Sequence, residues 1–285
     1  MALRQVGLAA ASKTAFTILT AARNGTVLGA SHRGAALIYP ASVVKLFFLV
    51  AMQAGLSAGR LSRTREQRRA CAAMIRESSN DATGYIVDLL TGTTGGPELP
   101  AAALRRWLKR RGAVQRYFER WGWPEFAPIR IAQKTWEESP YGREQQSRIQ
   151  IRNNRNQLTT EAVARLLWSI DRDTVVSKPA CQEMRRLLHR RLDPKAGSGR
   201  ADNQIDGFLG EGLPGDARLW SKAGWTSKIR HDAAIIELTG GRRFVLVVFS
   251  EGRKLAENTG LLPAMAREAV RLMALLEDEP ERRRR

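Results

Sequence analysis

Cysteine and histidine are scarce in this chain. Cys71 and Cys181 are the only cysteines, and His32, His189 and His231 the only histidines, with no Cys-x-x-Cys pair and no Cys/His grouping. That spacing leaves no zinc-type ligand set to read, and neither metal nor cofactor is expected. One disulfide is open to the two cysteines, but two buried thiols fit better a chain without an evident export signal. No run approaches eighteen consecutive apolar residues, so no membrane-spanning helix is expected. Met1 to Gly7 and the small patch Leu8 to Ala11 lack the apolar core of a signal peptide. As written, the chain reads as cytoplasmic, and as periplasmic or extracellular if its N-terminus has been trimmed. Acidic residues are also few: 28 against 47 lysines and arginines, a net charge of +19. The arginines cluster at 105–106, 110–111, 185–186, 190–191 and 282–285. These clusters are spread over several helical patterns, and no zinc-finger, RNP-like or helix-turn-helix signature accompanies them. The charge therefore implies attraction to anionic surfaces rather than specific nucleic-acid recognition.

What is present is a chain long and apolar enough, at 285 residues and 43% hydrophobic, to bury a full core in one large domain or two intimate ones. Residues 15 to 31 read as two strands around Asn24-Gly25. From Ser42 to about Asp206 the pattern is helical, with helices expected over 42–55, 65–78, 82–90, 100–111, 113–121, 160–171 and 179–191. Strand pattern then returns at 217–220, 232–238 and 244–250, and an amphipathic helix closes the chain over 263–277. This order predicts an α/β (α+β) fold with one antiparallel sheet of about five strands, flanked by the terminal helix, and an inserted helical lobe. The sheet lobe would combine 1–38 with 208–285, the helical lobe would span 39–207, and a small ligand would bind in the cleft between them.

Three polar motifs punctuate this frame. Ser42-Val43-Val44-Lys45 opens the most apolar helical run, Leu46 to Met52. Side chains at i and i+3 share a helix face, which puts an amine within reach of a hydroxyl and allows serine activation without histidine. Ser78-Ser79-Asn80 stands between two helices, where a hydroxyl can relay a proton and an amide can bind a substrate amide; a helix cap uses the same residue types. Lys222-Ala223-Gly224 lies on the expected strand Trp220 to Thr226. It offers a fixed cation and a glycine that permits close backbone approach, though an edge strand guarded by lysine would read alike.

In this order, and on these elements, the three motifs resemble the S-x-x-K, S-x-N and K-[ST]-G marks of the serine β-lactamase and penicillin-binding protein superfamily. The resemblance runs from about Phe16 to Leu276 and is nearest to the class A-like branch of bacterial serine hydrolases. It implies that Ser42 is acylated, that Lys45 is its base or proton relay, and that Ser78 shuttles a proton to the leaving nitrogen. Asn80 would hold the substrate amide. Lys222 would lower the proton affinity of Ser78 and attract an anionic group, and also depress the Lys45 pKa. The backbone N–H groups of Ser42 and Trp225 would hold the oxyanion, at about 3 to 4 kcal/mol per donor.

Two departures qualify that implication. Ala223 replaces the usual hydroxyl of the third motif, leaving Thr226, Arg230 or His231 to contact a substrate carboxylate beside Gly224 and Trp225. The Glu-x-x-Leu-Asn of class A enzymes is absent ahead of Thr159, and Glu137, Glu138 and Glu144 lie in that region as alternatives for a deacylating base. The stretch 99–126, rich in tryptophan and arginine, either covers the cleft or packs as core, with core favoured. The expectation is a monomeric serine acyl-hydrolase acting on a small-molecule or peptide amide or ester, such as a β-lactam or D-amino-acid peptide. The alternative is a catalytically impaired penicillin-binding-like protein that holds cell-wall fragments.

Overall fold

The computed structural model describes residues 11–151, 154–192 and 203–282, with side chains described through 276. The N-terminal decapeptide, on which the reading of an export signal rests, lies outside the described residues, as do Arg283 to Arg285. The described elements are β1 (Thr14–Ala21), β2 (Val27–His32), a 3-10 turn (Ala41–Val44), α1 (Lys45–Ser57), α2 (Arg65–Arg76), α3 (Asn80–Thr91), α4 (Ala101–Arg111) and α5 (Ala113–Glu119). There follow α6 (Gly142–Gln150), α7 (Thr160–Asp171), α8 (Lys178–Leu188), β3 (His189–Arg190), β4 (Arg218–Thr226), β5 (Ile229–Glu237), β6 (Arg243–Glu251), α9 (Arg253–Glu257) and α10 (Leu261–Arg282). The strands form one antiparallel sheet in the order β2-β1-β6-β5-β4-β3. It has six strands rather than about five. The extra one, β3, falls where the helix over 179–191 was expected to continue: the backbone turns extended at His189 (φ −57, ψ 131), and two residues pair with β4 instead.

Strand alternation divides the core between the two faces of the sheet. On β6, Val245, Val247 and Phe249 join the helical block, while Phe244, Leu246 and Val248 pack toward α10. On β4, Trp220 points to the helical block and Leu219 and Ala223 to the α10 side. The spine of the helical block is α1, buried on every side from Lys45 to Gly55. Each large apolar side chain there contributes about 1.5 to 3 kcal/mol by leaving water. Such a helix has no polar face, so any polar group it carries near its start must be satisfied by neighbouring elements.

The tryptophan- and arginine-rich stretch is core. Phe118 and Phe126 close on Phe47 of α1, with Trp121 and Trp123 packed edge-on or tilted behind them. Much of the arginine excess serves packing as well. Arg165 covers Trp123, and Arg218 and Arg243 both lie over Trp220. Arg111 is buried between Asp88 and Glu144. Cys71 and Cys181 are both free and buried, and burial pushes the Cys71 thiol up to about 12, an unreactive state.

Candidate active site

The first motif does not begin with an α-helix. Ala41–Val44 is a 3-10 turn, and regular α-helix starts at Lys45. In a 3-10 turn residues i and i+3 eclipse, so Ser42 and Lys45 project to the same side. Ala41, immediately before Ser42, is forced to φ 44, in the left-handed region that costs a non-glycine residue about 1 to 3 kcal/mol. Ser78 is held likewise at φ 57. Both polar motifs of the helical block therefore sit on strained backbone that the surrounding packing enforces.

Lys45 has no exposed surface, and its ammonium reaches out of the apolar helix into the second motif. It donates to Asn80 Oδ1 at 2.9 Å, Ser78 Oγ at 3.3 Å, the Ser78 carbonyl at 2.5 Å and the Ser79 carbonyl at 3.4 Å. None of these four acceptors is Ser42. Burial holds the amine near pH 7, down from 10.5, against an opposing pull from Glu137. Desolvation, rather than the expected neighbouring cation, is what lowers Lys45. The polar cluster extends outward through Asn80, whose Nδ2 donates to Glu137 Oε1 at 2.7 Å. Asn80 thus bridges the buried amine to an exposed carboxylate. Ser79 caps α3 by accepting from Ala82 N–H, so the cap and the functional reading share this loop.

The third motif is placed differently from expectation. Lys222 is fully buried and makes no bond to Ser78. It donates to Gln204 Oε1 at 2.6 Å and to the Ala223 carbonyl at 2.7 Å. The cation touching Ser78 is Lys45. Gln204 also accepts from Ala223 N–H and donates to the carbonyls of Ile75 and Arg76 at the end of α2. Arg190 donates to the same two carbonyls and to that of Ser221. Gln204 and Arg190 together tie β4 to the turn that precedes Ser78. Burial, then the charges of Lys45 and Arg190, lower the Lys222 pKa well below its ordinary value.

Gly224 admits the protein's own backbone rather than a substrate. A Cβ there would lie 2.8 Å from the Pro40 carbonyl oxygen and 2.9 Å from Ser42 N, closer than real atoms approach. The nucleophile turn is thus pressed directly onto β4. Ala223 faces the α10 side with no exposed surface, so its side chain is not a substrate contact. His231 is not one either. It is fully buried, stacks on Phe249, accepts the Ser250 N–H at Nδ1 and donates from Nε2 to the Tyr39 carbonyl. Burial holds it neutral, with its pKa lowered to about 4, and its task is to hold the loop three residues ahead of Ser42. Arg230 is likewise occupied, donating to the Ala256 and Gly207 carbonyls. Only Thr226 and Trp225 of the expected sheet-side contacts face the open cavity.

That cavity measures about 680 Å³ and is lined by Ser42, Ser78, Asn80 and Glu137, together with Tyr39, Trp136, Trp225 and Thr226. Of the three carboxylates considered for water activation, Glu137 alone lines it. Glu144 is buried against Arg111 and Lys134, and Glu138 lines an adjoining cavity. Sequence reasoning missed Gln204 and the bridging role of Asn80 toward Glu137. No local pattern marks either, because their partners lie 18 and 57 residues away.

The family follows from the whole chain. The model of the β-lactamase enzyme family matches residues 2–273. The chain belongs to that family. Among curated proteins none matches the sequence. Solved structures of similar fold include a β-lactamase from Sphaerobacter thermophilus DSM 20745, 17% identical, with 92% of each chain covered and a TM-score of 0.63. PBP-A, solved as a mutant acyl-enzyme complex with penicillin G, is 16% identical, with 95% of each chain covered and a TM-score of 0.65. A β-lactamase from Chitinophaga pinensis DSM 2588 is 17% identical, covering 93% of this chain and 98% of its own, with a TM-score of 0.62. At these identities the likeness is one of fold. Ser42, Ser78 and Asn80 line one cavity, which β4 reaches through Trp225 and Thr226, while Lys222, Ala223 and Gly224 of the third motif do not line it.

Proposed function

We propose that this β-lactamase-family protein is a serine acyl-hydrolase that forms a covalent acyl-Ser42 intermediate with a small amide or ester. The observation that carries the reading is Lys45, a buried amine held near pH 7 one turn from a cavity-lining serine. A neutral Lys45 accepts the Ser42 hydroxyl proton as Oγ attacks the substrate carbonyl carbon, forming a C–O bond and an oxyanion. Ser78 Oγ, 3.3 Å from Lys45 Nζ, passes that proton to the leaving nitrogen or oxygen as its bond to carbon breaks. Glu137 then takes a proton from a water whose oxygen attacks the acyl-Ser42 carbonyl carbon, and as the C–Oγ bond breaks that proton passes to Ser42 Oγ and the acid departs. The asparagine between Lys45 and Glu137 orients both. The acyl-enzyme reported for PBP-A with penicillin G supports β-lactams as one class of acyl donor.

A fluorophosphonate probe and a labelled penicillin test this, read by intact-protein mass spectrometry and peptide mapping. Adducts on Ser42 that vanish in Ser42→Ala are expected, and no adduct on the wild type would sink the proposal. Nitrocefin and simple esters then separate turnover from capture. A second reading, a binding protein that acylates but does not release, draws support from Lys222, which is bonded to Gln204 and its own strand rather than to a cavity group. It predicts a penicilloyl adduct persisting for hours.

A further inference from the structure

Behind the Asn80–Glu137 bridge lies a second cavity, of about 590 Å³. It shares Asn80, Thr135, Trp136 and Glu137 with the cavity at Ser42, so these residues form a partition with an opening on each side. Its far wall carries Tyr85 and Tyr141, which are 42% and 67% exposed, and the carboxylates of Asp81 and Glu138. Lys134, the one cation lining it among the described residues, is spent on Asp88 at 2.6 Å. The cavity is therefore anionic on a protein of net charge +19, whose field otherwise repels cations. Thr135 adds an independent sign of a ligand. It is only 7% exposed and lines both cavities, yet its hydroxyl has no hydrogen-bond partner among the described residues. A buried hydroxyl without a partner costs free energy unless something that enters the cavity completes it. Trp136 Nε1 in the same partition also has no partner among the described residues.

We infer that this second cavity is a subsite for an alkylammonium group on the acyl donor. Tyr85, Trp136 and Tyr141 line it with aromatic rings that can take a cation, Asp81 and Glu138 offer charge, and the Thr135 hydroxyl offers an acceptor to an N–H. The reading rests on the proposed acylation of Ser42, which fixes the carbonyl in the first cavity while the charged end crosses the partition. Binding of the charged end is, however, testable apart from the chemistry.

Two p-nitrophenyl esters, the 6-aminohexanoyl and the isosteric heptanoyl, differ only in the terminal ammonium. At concentrations below saturation, the burst of p-nitrophenolate is expected to be at least about 10-fold faster for the amine. D81N/E138Q should bring the two rates within about twofold of each other, and T135V should cut the preference about threefold. Separately, Ser42→Ala protein titrated by calorimetry should bind pentylammonium at least about 10-fold more tightly than pentan-1-ol, and the double change D81N/E138Q should erase the difference. Circular dichroism checks that each variant is folded, and the single variants D81N and E138Q replace the pair if it is not. Equal binding of amine and alcohol, or a preference that survives the neutralised carboxylates, overturns the subsite while leaving acylation intact. If neither ester labels Ser42 but the calorimetric preference holds, the acyl-transfer reading falls and the subsite stands.

Discussion

The two walls of the cleft each carry a buried lysine, and they use it differently. On the helical wall, Lys45 is bonded to groups that reach the cavity, Ser78 and Asn80, with Glu137 one bond further. On the sheet wall, Lys222 is bonded to Gln204 and to its own strand, and has no exposed surface. Burial depresses both amines. What separates them is connection: one wall is a polar chain that ends at a substrate-sized space, and the other is a frame that presses a turn into strain. Gly224 against Ser42 N and His231 against the Tyr39 carbonyl belong to that frame.

Substitutions on the two walls should therefore separate rate from stability. The largest effect is expected for Lys45→Met, which should slow acylation by about 10³ to 10⁴-fold. In the wild type, acylation should fall as pH drops through about 7, because Lys45 takes up a proton and ceases to be a base. Burst kinetics from pH 5 to 9 would check both points. Lys222→Met should keep that limb and lose no more than about 100-fold; loss of the limb would erase the contrast between the walls. Next, Glu137→Gln should slow deacylation about 10² to 10³-fold with acylation within about tenfold of wild type, seen as an acyl adduct that accumulates in mass spectra. A deacylation rate near wild type would move water activation away from the helical wall.

The frame should respond in stability. His231 has its folded pKa lowered from 6.5 to about 4, so the unfolded chain binds the proton first. The stability this histidine contributes is present above pH 6.5 and is lost as pH falls toward 4, a change of about 3 kcal/mol. Denaturant midpoints at pH 7, 5.5 and 4 should show this slope, and His231→Gln should flatten it. The smallest effect is expected for Gly224→Ala. Its Cβ meets backbone at 2.8 Å, and such overpacking costs about 1 to 3 kcal/mol. It should also slow acylation by shifting the Ser42 turn; an unchanged rate with lowered stability would show that strand and turn are not coupled.

Much of this was legible in the sequence because it was local. The continuous apolar run of β6 and the two segments around Asn24-Gly25 gave strands that pair as expected, and the caps at Thr64 and Thr159 lie where helix starts were read. The helix Gly142–Gln150 was not read, because its face is almost wholly polar and it is held by Arg111 on Glu144 and by Gln146 on the Leu99 backbone. Two-residue β3 was not read because its only cause is the neighbouring edge of β4.

For the site, sequence alone singled out the side chains to which chemistry is assigned under the proposed function. Ser42 and Lys45 lie one turn apart, a spacing that covalent geometry fixes, and the order of the three motifs sets the family frame. Tertiary structure decided the partners. It gave Lys45 rather than Lys222 to Ser78, placed Gln204 on Lys222, turned His231 and Ala223 into the core, and put Glu137, of the three glutamates considered, in the lining of the Ser42 cavity. Those choices depend on which groups lose water together when the helical wall closes on the sheet. That is a property of packing across dozens of residues, and no short stretch of the chain encodes it.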